Sequence, residues 1–303
     1  MNPSPSLTAD LPTNPQATDL RARAEILGQS LPPLLAEAQH LAATLMLGEH
    51  GRRRAGQGDE FWQYRPAHQG DAARSIDWRR SARSDAHFVR EREWQAAQSI
   101  TLWVDSARSM DFTGAKARAP KQDRARLLAL ALAVLLLRGG ERVGLSGTLA
   151  AKPGRAQLLA LTTALQADDE SDDYGAPVVE GMIPHGRAVF VSDFLGKIEP
   201  VEAALAAAAD RGVRGILLQV LDPVEETFPF DGRTIFESMS GNLRHETQSA
   251  GDLRSRYLQR LADRKDRLAG LARAMGWHYH CHHTGQTAQA ALLWAYAALE
   301  GGR

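Results

Sequence analysis

The residues best placed to do chemistry in this 303-residue chain are acids and hydroxyls at the ends of apolar runs. In "ITLWVDSARSMDF" (100–112) the apolar run stops on Asp105, and serines follow at 106 and 109. In "RAVFVSDF" (187–194) a second run stops on Asp193. Carboxylate and hydroxyl oxygens are the ligands that hard cations such as Mg²⁺ prefer. Asp105, Ser109 and Asp193 therefore form a candidate divalent-metal set, with Ala107 between the first two offering no oxygen. The competing reading is that Asp105 and Ser109 only cap the turn and helix that follow.

A second cluster, "WHYHCHHTG" (277–285), holds four of the ten histidines and the single cysteine, Cys281. On a strand, His278, His280 and His282 share one face, and Cys281 and His283 the other. Such side chains suit zinc or nickel, but alternate strand residues stand about 7 Å apart, wide for one ion. The favoured reading is an edge-like strand with polar residues near its end. No Gly-x-Ser-x-Gly elbow, phosphate-cradling Gly-rich loop with lysine, or His-Glu-x-x-His is present.

The elements that must position these groups alternate along the chain. A helix begins near Pro32–Pro33 and is ended by Gly48 and Gly51. Strands are predicted at 99–104, 142–146, 187–194, 215–221 and 277–283. Between and after them come helices at 123–137, 157–165, 200–210, 252–275 and 288–299. "FPFDGRTIFES" interrupts the series as a hairpin turning at Asp231–Gly232. Strand–helix alternation of this kind implies a mainly parallel sheet covered on both faces. In such sheets ligands collect at the carboxyl ends of strands, where Asp105 and Asp193 lie.

Composition sets the class. The 36 basic and 36 acidic residues balance, which gives no global case for nucleic acid or a membrane surface. One cysteine permits no internal disulfide and fits a reducing compartment. The N-terminal stretch has no secretory pattern, and the apolar run 127–137 is too short to span a bilayer. A cytoplasmic protein is expected, with a tail over 1–19 and a short helix over 20–27.

Residues 51–92 hold ten arginines and no lysine. Within them stand Gly70, Asp71, Arg74, Ile76, Asp77 and Trp78, then Ser81, Ala82 and Arg83, with Arg65 upstream. This segment resembles the signature of the domain of unknown function 58 family. The likeness continues through "VDSARSM", "RVGLSG" and "VSDFLG" into "VLDPVEETFPFDG". Asp71 with Arg74, and Asp77 with Arg80, are spaced to pair locally, and Trp78 offers a large anchor. The segment reads as a rigid elbow onto the sheet, as a partner surface in which arginine forks meet carboxylates or phosphates, or as a base-stacking surface for nucleic acid. Its interspersed acids argue against the last.

The strand-end acids resemble the metal-ion-dependent adhesion site of the von Willebrand factor A fold, where an Asp-x-Ser-x-Ser loop, a threonine and a later aspartate hold the ion. Here Asp105, Ser109 and Asp193 match, Ala107 replaces a ligand serine, and Thr148 is the nearest threonine candidate. The resemblance implies a von Willebrand factor A-like α/β domain over 99–303, preceded by helices and the Arg-rich segment over 20–98. It also implies a degenerate site with no cofactor or weakly bound Mg²⁺. The implied role is non-enzymatic, as an adaptor for a MoxR-type AAA ATPase and further von Willebrand factor A-domain proteins. A Mg²⁺- or Mn²⁺-dependent hydrolase using the two aspartates is the alternative.

Overall fold

The computed structural model describes residues 33–48, 61–67, 76–82, 87–92, 97–167, 172–239, 241 and 244–301. The expected tail and the helix over 20–27 lie outside them. Helix α1 (Pro33–Gly48) is followed by strand β1 (Phe61–Pro66), a short helix α2 (Trp78–Ser81) and strand β2 (Phe88–Arg92). The alternating part then opens with β3 (Ser99–Val104), a 3₁₀ turn (Arg108–Asp111) and α3 (Lys121–Arg138). Next come β4 (Arg142–Leu145), β5 (Leu149–Lys152), α4 (Arg155–Gln166), β6 (Arg187–Ser192) and α5 (Glu199–Asp210). Strand β7 (Arg214–Leu221), the short α6 (Pro223–Thr227) and the pair β8 (Thr234–Glu237) and β9 (Arg244–Thr247) follow. The chain closes with α7 (Gly251–Ala274), β10 (His278–His283) and α8 (Ala288–Glu300).

The central sheet has the order β10–β7–β6–β3–β4–β5. Every neighbouring pair is parallel except β4 with β5. This is the mainly parallel, helix-flanked sheet expected of a von Willebrand factor A-like domain. From β3 the chain builds outward to β4 and β5, then returns to lay β6 on the other side of β3. The order therefore reverses between β3 and β6, which opens a crevice beyond their carboxyl ends.

Side-chain alternation along each strand feeds two cores. Ile100, Leu102, Val189, Val191, Ile216, Leu218 and Val220 face one layer with α1, α3, α4 and α8. Trp103, Ala188, Phe190 and Leu217 face the other with α5 and α7. There Phe190 packs edge-on against Trp103 and tilted against Trp277, with ring centroids 5.8 and 4.9 Å apart. Helix α3 is apolar around its girth because neighbours cover nearly all of it: Ala125 and every residue from Leu127 to Leu136 are buried. Among the described residues no helix is long and apolar enough to cross a membrane.

Two local expectations are corrected. Strand β5 was not foreseen; it is an edge strand that turns back from β4 through Gly147, at φ 69°. Its residues alternate between half-buried and exposed and carry no strong apolar signal. The predicted hairpin exists, but Asp231–Gly232 is not its turn. Strand β8 pairs from Thr234↔Thr247 to Glu237↔Arg244, so the connection falls beyond Glu237. Gly232, at φ 63°, instead offers its carbonyl to the Ala250 N–H at the start of α7, 2.8 Å away. The partner strand Arg244–Thr247 is polar throughout, which hid it from a search for apolar alternation.

Candidate functional site

Asp105 and Asp193 stand one residue beyond β3 and β6, on either side of the crevice, and both are buried. The Asp105 carboxylate is held by three hydrogen bonds from the chain itself. Its Oδ1 accepts from the Ala107 N–H at 2.8 Å, and its Oδ2 accepts from the Ser192 hydroxyl at 2.6 Å. The Gly175 N–H donates as well. That loop lies so close that a Cβ on Gly175 would fall 2.1 Å from Asp105 Oδ1, so only glycine fits. The loop is tied down by the Arg108 and Ser109 N–H groups, which donate to the Asp172 and Asp173 carbonyls at 3.2 and 2.9 Å. Burial pushes the Asp105 carboxyl up from its usual range; the Ser192 and Ala107 hydrogen bonds oppose that rise, and the charge of Asp193 adds to it.

Asp193 sits in a turn held by its neighbours. Its Oδ1 accepts from the Leu195 N–H at 3.0 Å, and Gln219 donates to its carbonyl at 2.6 Å. The next residue, Phe194, takes φ 48°, a left-handed conformation that bulky side chains adopt only when the surroundings impose it. The remaining oxygen, Oδ2, accepts from the Lys121 ammonium at 2.8 Å.

Lys121 is the residue that sequence reasoning missed, and it organises the site. It opens α3 and is 1% exposed, a burial lysine almost never reaches unless paired. Its ammonium donates to Asp193 and, at 2.7 Å, to Glu225 on α6, and lies 5.7 Å from the centre of the Phe112 ring. Burial alone would pull this ammonium down, but Asp193 and Glu225 outweigh it and hold the pKa above the usual lysine value. Glu225 is fixed in turn by a capping box: its Oε2 accepts from the Asp222 N–H at 2.8 Å, and Asp222 Oδ1 accepts from the Val224 N–H at 2.9 Å. Asp222, just beyond β7, is a third strand-end acid; it binds Arg118 at 2.9 Å and the Thr284 hydroxyl at 3.1 Å.

The fold family implies a hard divalent cation here, and the residues present do not fit one. Mg²⁺ needs near-octahedral oxygens, several of them from protein or water. Ala107, fully buried, supplies only a methyl. Asp105 already accepts three hydrogen bonds, and Asp193 is held by a fixed ammonium that would repel a dication. Ser109 has the one hydroxyl left over, with its Oγ buried and without a hydrogen-bond partner. Thr148 plays no part: it lies in the β4–β5 turn, its hydroxyl 3.5 Å from the Ser146 carbonyl.

Above Lys121 opens a cleft of about 130 Å³, lined in part by Ser109, Tyr174, Asp193, Glu225, Glu237 and Met239. Burial, and then the negative charge of Asp193, push the Tyr174 phenol up. Ser109, in this lining, is not paired with a base as an activated nucleophile would be.

The Arg-rich signature is described in part. Arg65 lies on β1, opposite Val89 of β2. Asp77 and Ser81 close a small turn: the Ser81 hydroxyl donates to the Asp77 carbonyl at 2.8 Å and accepts from the Phe88 N–H at 3.0 Å. Trp78, read as a large anchor, is 57% exposed, its ring edge-on to His87 at 5.6 Å. Gly70, Asp71, Arg74 and Arg83 lie outside the described residues.

The histidine strand does lie at the sheet edge, and its faces split as period two requires. His282 Nε2 accepts a hydrogen bond from the Arg124 guanidinium at 2.9 Å, and burial, then Arg124, push it down to about 4. His280 stacks on Trp294 at 4.7 Å. On the opposite face, Cys281 and His283 meet Glu226 within 4.8 Å, where Lys265 also reaches the carboxylate.

Sequence comparison matches residues 63–267 to the family described as "Protein of unknown function DUF58". Uncharacterized protein Rv1480 of Mycobacterium tuberculosis is 28% identical over 244 residues, covering 76% of each chain. Uncharacterized protein Mb1516 of Mycobacterium bovis aligns to the same extent. Among solved structures, an aerotolerance-related membrane protein from Bacteroides fragilis covers 68% of this chain and 100% of its own, at 14% identity and a TM-score of 0.40. The conserved hypothetical protein BatB from Bacteroides thetaiotaomicron covers the same shares at 16% identity and a TM-score of 0.35.

Proposed function

The chain belongs to the DUF58 family, and from that premise we propose that it is a non-enzymatic adaptor, docking partners at the carboxyl edge of its sheet. The partner in this reading is a MoxR-type AAA ATPase, together with further von Willebrand factor A-domain proteins, in the assembly or maturation of a protein complex. One observation carries it: the position where the fold would place a metal is closed by Lys121, ion-paired to Asp193 and Glu225. A hydrolase at this edge would need a metal-bound water or an activated nucleophile. Lys121 and the donors around Asp105 already engage the two carboxylates on which a metal would depend, which supports the non-enzymatic reading. What remains is a rigid, charged crevice with exposed side chains at its rim, which suits recognition.

The test uses the full chain immobilised against the purified MoxR-type ATPase of the same organism, with and without EDTA. Nucleotide is left out, so chelation cannot act through ATP. Saturable binding that is unchanged by EDTA supports the reading. Absence of binding, together with phosphoester or peptide hydrolysis in Mg²⁺ or Mn²⁺, overturns it.

A further inference from the structure

We infer that the cleft above Lys121 is the seat of an arginine side chain presented by the docking partner. This rests on the docking reading and gives its chemistry. A site holding a dication would offer a positive centre and attract a carboxylate. Here the internal cation is a single ammonium set against both Asp193 and Glu225, so the two carboxylates are only half neutralised. Asp173 and Glu237 add two more to the same lining; the pairing of Glu237 with Arg244, at 3.4 Å with both side chains more than half exposed, is a surface contact of little strength. The field at the mouth is therefore negative.

A second feature is independent of that charge. Ser109 lines the cleft, is 8% exposed, and keeps its Oγ without a hydrogen-bond partner. Buried polar atoms are almost always satisfied, and this hydroxyl can accept from a donor that enters the cleft beside it. A guanidinium brings several N–H donors in a planar fork, enough to serve two carboxylates and a hydroxyl together.

The rim suits the rest of that side chain. Tyr174 and Met239, 46% and 45% exposed, border the opening and offer an aromatic face and a flexible apolar surface. Arginine stacks on such a ring and lays its aliphatic stem on apolar surface while its head is bound. The cleft, at about 130 Å³, has room for a side-chain head group.

The probe is N-acetyl-arginine amide, titrated into the isotope-labelled full chain and followed by amide NMR, with N-acetyl-glutamate amide as the control. The arginine derivative is expected to shift the amides of Tyr174, Leu195, Ser238 and Met239 with weak, saturable, salt-sensitive binding. The glutamate derivative should leave them in place, and Glu237→Gln should weaken the arginine derivative several-fold. Shifts caused equally by both derivatives, no shift with either, or shifts indifferent to Glu237→Gln would overturn the assignment. Because no ATPase is present, failure here with ATPase capture intact refutes only the arginine seat. Success here with no capture refutes the ATPase partnership and leaves the seat standing.

Discussion

Lys121→Met removes the ammonium, keeps the stem, and leaves Asp193 and Glu225 facing each other with no cation between them. Both are buried or nearly so, at 1% and 13% exposed, so water cannot screen them. Breaking one partner out of a buried ion pair costs about 3–5 kcal/mol. At about 2–4 °C of melting temperature per kcal/mol in larger domains, the variant should melt roughly 6–20 °C lower. The vacated space is then ringed by carboxylates, which a hard dication accepts. At ten times its dissociation constant, Mg²⁺ should restore about 1.4 kcal/mol, or roughly 3–6 °C. Thermal denaturation followed by circular dichroism, in EDTA and in Mg²⁺ at matched ionic strength, measures both effects. The unaltered protein should melt at one temperature in both buffers. A Mg²⁺ shift in the unaltered protein, or a variant that neither loses stability nor responds to Mg²⁺, would refute the reasoning.

Ala107→Ser alone should leave Mg²⁺ binding undetectable by calorimetry, because Lys121 still holds Asp193; combined with Lys121→Met it should tighten binding over the single variant. His282, 1% exposed and held down to about 4, contributes stability that is complete above its unfolded value near 6.5 and lost as the pH falls towards 4. That loss should amount to roughly 3 kcal/mol in urea unfolding, and His282→Gln should flatten the slope over this window. Trp78→Ala should cost no more than about 0.5 kcal/mol, since an exposed ring leaves no cavity, and any loss of ATPase binding in that variant would then report a direct contact.

The sheet was legible because its strands are continuous apolar runs of fixed period, bounded by aspartates and glycines. Ile100 to Val104 and Ala188 to Val191 could be read as buried on both faces from composition alone. Strand β5 and the partner of β8 were not, since Leu149–Lys152 and Arg244–Thr247 lie at edges and bury little. At the site, Asp105, Ser109 and Asp193 were visible as strand-end groups because they follow apolar runs directly. Lys121 and Glu225 were not, because each sits on a helix at the end of a charged stretch, where an exposed face is the ordinary expectation. The clue available was "DPVEE" after β7, a capping-box pattern that fixes Glu225 and therefore points it somewhere definite. Trp78 misled in the opposite way: a tryptophan in a signature suggests an anchor, whereas the turn at Asp77–Ser81 is closed by the Ser81 hydroxyl and leaves the ring outside.

The strand-end site is filled by the chain's own ammonium. Crystals of the full chain soaked in Mn²⁺ and measured for anomalous scattering address it without any assay of activity. No anomalous peak is expected among Asp105, Ser109 and Asp193, with Lys121 Nζ within hydrogen-bond distance of both Asp193 and Glu225. A manganese peak at that position, with Lys121 displaced from Asp193, would contradict it.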